Sequence, residues 1–156
     1  MIKKDNPGVF IPPPLIYVMC FFLSFLFQKI WPIDISILRT QPVLVIGRVL
    51  AALSFIISLP AIVRFIRSKN TLVTVKPANS LQTKGIYSLT RNPMYFGLML
   101  LYSSIAIFKG NWWTFILIPL LVFVVQFFVI RKEENYLDRA FGNEYILYKQ
   151  KVRRWI

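Results

Sequence analysis

The sequence contains no histidine. That removes imidazole acid–base catalysis and histidine metal ligation. It has one cysteine, Cys20, so no internal disulfide can form and a cysteine metal site has too few ligands. No metal is therefore expected. Acidic residues are scarce, with 6 Asp and Glu against 19 Lys and Arg. No G-x-G-x-x-G fingerprint occurs, so a dinucleotide-binding turn is not indicated.

What is abundant is apolar sequence. Of the 156 residues, 56% are hydrophobic, and they fall in long blocks. Residues 11–30 are broken only by Ser24 and by Gln28 and Lys29 at the end. Residues 43–63 carry a single charge, Arg48. Residues 112–130 carry none, and a shorter uncharged run covers 94–108. A hydrocarbon core of roughly 30 Å needs about 20 helical residues at about 1.5 Å each. Backbone groups in lipid must be satisfied within the segment, which favours helices. The reading is an all-α polytopic integral membrane protein with about four transmembrane helices, near 11–30, 43–65, 93–108 and 112–130. The first run is too long for a signal-peptide core and lacks a small-x-small cleavage site, so it is expected to stay as a span.

The net charge of +13 raises the question of nucleic acid. Its placement argues for a membrane. Arg64, Arg67, Lys69, Lys76, Lys84 and Arg91 share one connection without an acidic residue. Arg131, Lys132, Arg139, Lys149, Lys151, Arg153 and Arg154 lie in the tail. The opposite connections hold only Lys29, Arg39 and Lys109, with Arg48 close by. The positive-inside rule puts both termini and the 64–92 segment in the cytoplasm. In a bacterium the membrane is the inner one. Orientation and attraction to anionic lipid explain the basic excess, and no nucleic-acid partner is expected.

Local signals divide the chain further. Pro12-Pro13-Pro14 suits the first turn of a helix, and Trp31-Pro32 ends that helix at an interface. Pro60 predicts a kink in the second span. Residues 66–90 form a long polar connection in which 71–75 (TLVTV) suits a short extended piece. Lys109-Gly110-Asn111 is a tight turn, so the last two spans form a helical hairpin. In the tail, Leu137, Phe141, Tyr145, Tyr148, Val152 and Trp155 recur at helical spacing. Gly142-Asn143 divides this C-terminal amphipathic segment into two helices, with Asn143 as the second cap. The simpler reading is an interfacial helix on lipid. The other is a lid on the cytoplasmic ends of the spans.

Two polar clusters meet if the hairpin is tight. One is Arg91-Asn92-Pro93-x-Tyr95-x-Gly97. The other is Glu133-Glu134, within the tail's acidic stretch that also holds Asp138 and Glu144. Each member has an ordinary role available. Asn92 and Pro93 suit a helix N-terminus. Gly97 suits close helix approach, Tyr95 an aromatic belt, Arg91 an interface anchor. Together they outline a pocket with an anion-binding floor and facing carboxylates, suited to a zwitterionic ligand.

The stretches GIYSLTRNPMYFG (85–97), EENYL (133–137) and FGNEYILYKQKVRRWI (141–156) resemble the isoprenylcysteine carboxyl methyltransferase family, within a wider group that includes the phospholipid N-methyltransferases. The likeness runs over nearly the whole chain and implies one membrane methyltransferase domain, 1–156. It implies S-adenosylmethionine as cofactor, held at the cytoplasmic face, and a lipophilic substrate arriving from the bilayer. Gly85, Tyr87, Arg91, Asn92, Pro93, Tyr95, Gly97, Glu133 and Glu134 match the family's motifs. Cofactor-binding residues are then Tyr87, Asn92, Pro93, Tyr95, Gly97, Glu133 and Glu134, with Arg91 and Asn92 in the catalytic role. Histidine is common in the family where Asn92 stands here. Asparagine donates and accepts hydrogen bonds but does not titrate near neutrality.

The implied reaction is carboxyl O-methylation of a prenylcysteine-type acceptor. N- or S-methylation of a lipid or small molecule is the alternative. A nicotinamide-dependent membrane reductase, since sterol reductases carry a related C-terminal region, and a non-enzymatic scaffold are further ones. The oligomeric state is open.

Overall fold

The computed structural model describes residues 6–68 and 77–156. The lead before Asn6 and the expected extended piece at 71–75 lie outside the described residues. Among those described, regular structure is entirely helical. Helix α1 spans Pro13–Ile30, α2 Gln41–Arg67 and α3 Pro93–Lys109. They are followed by α4, Trp112–Ile116, and α5, Ile118–Val124. A π-helical segment, Val125–Ile130, then leads into α6, Arg131–Phe141, and α7 covers Asn143–Lys151.

The helix ends follow local chemistry. Proline occupies the first turns of α1, α2 and α3, where its missing N–H costs nothing. Pro60 sits inside α2. Helix α3 stops at Gly110, whose φ of 63° is left-handed and disfavours any residue with a Cβ. The next residue, Asn111, caps α4 by accepting a hydrogen bond from Trp113 N at 3.0 Å.

Helices α1 and α2 are long and apolar enough to cross a membrane. Their large apolar side chains mostly face outward. Phe22 is 68% exposed and Ile56 63%. A core helix of a water-soluble protein would bury that face, so lipid is the solvent that suits it. Helix α3 is a shorter apolar helix.

The fourth apolar run departs from the expected single helix. It breaks at Leu117 (ψ −7°), just before Pro119, and passes through the π segment. From there the backbone stays helical through Ile130 and Arg131 into α6. The tail therefore does not begin afresh at position 131. Glu133 and Glu134 ride on a continuous extension of the apolar helix.

Helices α2 and α3 pack closely through reciprocal hydrogen bonds. Ser54 Oγ on α2 donates to the Gly97 carbonyl on α3 at 2.8 Å. Ser104 Oγ on α3 donates to the Gly47 carbonyl on α2 at 2.9 Å. A core of Tyr17, Cys20, Tyr102, Leu117, Leu121, Val125 and Ile130 joins α1, α3, α5 and the π segment.

The tail helices do not keep their apolar stripe for lipid. Tyr145, Tyr148 and Val152 are buried together, packed by Leu81, Leu137 and Phe141, while Trp155 packs on the main core. The lid reading is the one that the structure adopts. Tyr148 donates to the Tyr87 carbonyl at 2.6 Å, and Ala78 N donates to Tyr136 Oη at 2.8 Å, so the connection before α3 is pinned to the tail. The break falls at Gly142 as expected, but Asn143 is the first residue of α7 and its side chain makes no cap. Gly142 turns the chain instead.

Candidate functional site

The beginning of α3, the beginning of α6 and the segment before α3 converge on one cavity of about 430 Å³. That volume lies in the range of small-molecule sites. Its polar end is formed by Tyr87, Arg91, Asn92, Tyr95, Glu133 and Glu134. Apolar side chains of α2 and α3, including Phe55, Leu59, Leu98 and Leu101, line the rest. Residues far apart in sequence are thus gathered where a polar group meets an apolar channel.

The two glutamates are adjacent in sequence and differ in surroundings. Glu133 accepts from the Tyr95 hydroxyl at 2.7 Å through Oε1. It keeps partial exposure toward the cavity but is surrounded by protein. Burial raises its pKa to about 7; the Tyr95 bond opposes this, and the nearby Glu134 charge adds to it. Glu134 is 9% exposed. Its Oε1 accepts from Arg154 Nε at 3.0 Å, and its Oε2 from Arg154 Nη2 at 2.5 Å. Arg91 Nη1 lies 3.2 Å from Oε1 on the other side. The hydrogen bond to Glu134 holds the Arg154 pKa above its ordinary value.

Among the described residues, several buried polar atoms lack a hydrogen-bond partner. The Tyr87 hydroxyl is one, and Arg91 Nε and Nη1 are others. The Arg91–Glu134 contact is close enough for an ion pair but not aligned as a hydrogen bond. Burial without a partner costs free energy, which a bound acceptor group would offset. Burial also pushes the Tyr87 phenol well above its ordinary range.

Asn92 is the N-cap residue of α3, as expected, but its amide does not cap. Nδ2 donates to the Arg154 carbonyl at 2.9 Å. Pro93 is buried at the first helical position and lines the cavity. Gly97 does not line it. A Cβ there would stand 1.9 Å from Ser58 Oγ on α2. Its observed role is the α2–α3 approach. Sequence reasoning gave Arg154 only a share in the basic tail, although it stands in the 141–156 stretch of the resemblance. Ser54 and Ser58 also border the cavity and carry no sequence signal beyond polarity in an apolar run.

A family model described as phospholipid methyltransferase matches residues 42–144. The chain belongs to the phospholipid methyltransferase family. This methyltransferase is also 40% identical over 63 residues to an uncharacterized protein of Haemophilus influenzae, a match covering 40% of this chain and 100% of that protein. No solved structure matches it. Membership implies a membrane methyltransferase, and enzymes of the family generally use S-adenosylmethionine. The matched residues include α2 from its second residue, α3, the π segment and both glutamates, and end before α7 is complete.

Proposed function

We propose that this methyltransferase transfers a methyl group from S-adenosylmethionine to a lipophilic acceptor at the cytoplasmic face of the membrane. The observation that carries this reading is the convergence of the Tyr87 hydroxyl and Arg91 Nε, unpartnered among the described residues, with the Glu133 carboxylate on one apolar-walled cavity. A ligand with both a cation and an acceptor group fits that set. Glu133 takes the cationic amino group or ribose hydroxyls. Arg91 and Tyr87 donate to a carboxylate. Tyr95 and Pro93 wall the cavity, and Gly97 permits the helix approach that shapes it. When bound, the sulfonium supplies an already activated methyl group. The chain's task is to hold the acceptor in line and exclude water.

The topology in this reading has four crossings, with α4, α5 and the π segment together forming the fourth. The last two form a hairpin, and both termini are cytoplasmic, as the basic 64–92 segment and tail require. The domain is single, 1–156. The apolar side of the cavity admits the lipophilic substrate.

For the acceptor, the motif resemblance favours the carboxylate of a prenylcysteine-type compound. A carboxylate is ionised at neutral pH and needs no base. One observation favours a second reading, an amine acceptor. Glu133, half ionised near pH 7, can take the proton that an ammonium must lose before its nitrogen attacks. S-adenosylmethionine, when bound, would supply the methyl group to that nitrogen, and Glu133 would hold the proton released.

The test is incubation of the purified protein in lipid with methyl-labelled S-adenosylmethionine and host lipid extract, followed by identification of the labelled product. Label in a lipid ester supports the first reading and label on a lipid amine the second. No cofactor binding by calorimetry together with no labelled product overturns the proposal.

A further inference from the structure

The last residues of the chain are bonded to side chains and backbone at the polar end of the cavity. The Arg153 carbonyl accepts from Arg91 N at 3.0 Å. The Arg154 carbonyl accepts from Thr90 Oγ1 at 3.1 Å and from Asn92 Nδ2 at 2.9 Å. Trp155 Nε1 donates to Gln126 Oε1, in the π segment, at 3.0 Å. This strap is thus tied to the approach to α3, to its N-terminal cap and to the helix leading into α6. It holds the Arg154 backbone still, and the guanidinium then meets Glu134 through two parallel bonds. A forked pair of this kind fixes direction as well as distance. The strap lies beyond the family-matched residues 42–144.

The consequence falls on the glutamate pair. Both Glu134 oxygens are taken by Arg154, and Arg91 flanks the same carboxylate. A ligand cation would have to displace a fixed arginine to reach it. Glu133 accepts through Oε1 from a neutral tyrosine hydroxyl and makes no ion pair with an arginine or lysine among the described residues. We propose that Arg154 is a positioning residue of the cofactor site, which by holding Glu134 and Asn92 leaves Glu133 as the carboxylate that meets the ligand cation. The inference rests on the reading of the cavity as an S-adenosylmethionine site.

Arg154 also neutralises Glu134 beside Glu133. Without it, the Glu134 charge presses harder on its neighbour and favours the protonated form of Glu133. The groups facing Glu133 are then Tyr95 from α3, Tyr87 from the segment before it, and Glu134 on α6, which Arg91 flanks in turn.

The test compares Glu133→Gln, Glu134→Gln, Arg154→Gln, Arg154→Lys and the double variant Arg154→Gln/Glu134→Gln in the full-length protein. Two quantities are read: S-adenosylmethionine affinity by calorimetry, and the pH midpoint of thermal stability without ligand. Glu133→Gln should weaken binding about tenfold or more, by loss of a charge-assisted contact. Arg154→Gln should weaken it several-fold and move the pH midpoint upward. Arg154→Lys should restore part of both effects. The double variant should bind better than Arg154→Gln alone, because neither charge is left without its partner.

An Arg154→Gln variant with unchanged affinity and unchanged pH midpoint overturns the inference. So does a Glu134→Gln variant that binds as poorly as Glu133→Gln with no recovery in the double. A wild-type protein that binds no S-adenosylmethionine overturns the functional reading instead. The ligand-free pH midpoint then still decides whether Arg154 controls Glu133.

Discussion

The Tyr95 hydroxyl on α3 donates to Glu133 Oε1 on α6 at 2.7 Å, joining the two motifs of the cavity across 38 residues of sequence. The bond stabilises the ionised carboxylate against the burial that opposes it. Tyr95→Phe should therefore raise the pH at which Glu133 ionises. Cofactor affinity at pH 7 should fall roughly threefold to tenfold, the scale of a hydrogen bond to a charged group. Calorimetry over pH 6 to 9 checks this, with wild-type affinity regained at high pH as the expected pattern.

The same carboxylate sets a pH dependence of stability. Its folded pKa of about 7 lies above the ordinary glutamate value of about 4.3. Between those two values the folded state holds more protons than the unfolded state. Stability contributed by Glu133 is therefore full below pH 4, falls as pH rises to about 7, and is flat above. Glu133→Gln should remove this slope. Thermal midpoints in one detergent from pH 5 to 8 measure it. An unchanged slope in the variant assigns the titration to another group.

Gly97 tests the helix contact behind the cavity. An added Cβ would meet Ser58 Oγ at 1.9 Å, and rotating that hydroxyl away still leaves Ser58 Cβ at 3.2 Å and the Ser54 carbonyl at 3.3 Å. Gly97→Ala should destabilise the protein by about 1–3 kcal/mol, as overpacking does. Gly97→Ala/Ser58→Ala should recover part of that loss, read as a thermal midpoint between those of wild type and the single variant.

At the other end of the molecule, Asn111 caps α4 and donates to Ser24 Oγ on α1 at 3.1 Å. Ser24 in turn shares a hydrogen bond with Thr114 at 2.9 Å. Asn111→Ala removes the cap and the buried bond to Ser24 Oγ, which keeps its bonds to the Phe21 carbonyl and to Thr114. The expected cost is about 2 kcal/mol. Cofactor affinity should not change, since the site lies at the opposite ends of these helices. Parallel melting and calorimetry separate the two effects.

Asn92 connects the strap to the α3 cap. Asn92→Ala deletes the bond to the Arg154 carbonyl, and should cost about 1 kcal/mol with a several-fold loss of affinity. Asn92→His keeps a ring N–H as donor and should stay closer to wild type. A histidine variant as impaired as alanine would show that this bond is not what the position supplies.

The sequence by itself determined helices α1 to α3 and the turn that ends α3. Apolar runs, prolines at 13, 42 and 93, and the Gly110-Asn111 turn act within a few residues of where they stand, so they can be read locally. It also determined that Arg91–Tyr95 and Glu133-Glu134 would meet, because each borders a run joined to the other by a short turn. Only the tertiary structure decided how the pair is used. Arg154 reaches Glu134 by folding back over 20 residues, and no local pattern records that return. The tail stripe is the same whether lipid or protein covers it, and the pinned segment at Ala78 and Tyr87 decided for protein. The π segment preserved helical continuity into α6, while sequence reading placed a boundary there. Gly97 could have served a ligand or a neighbouring helix, and the position of Ser58 across the α2–α3 contact favoured the helix.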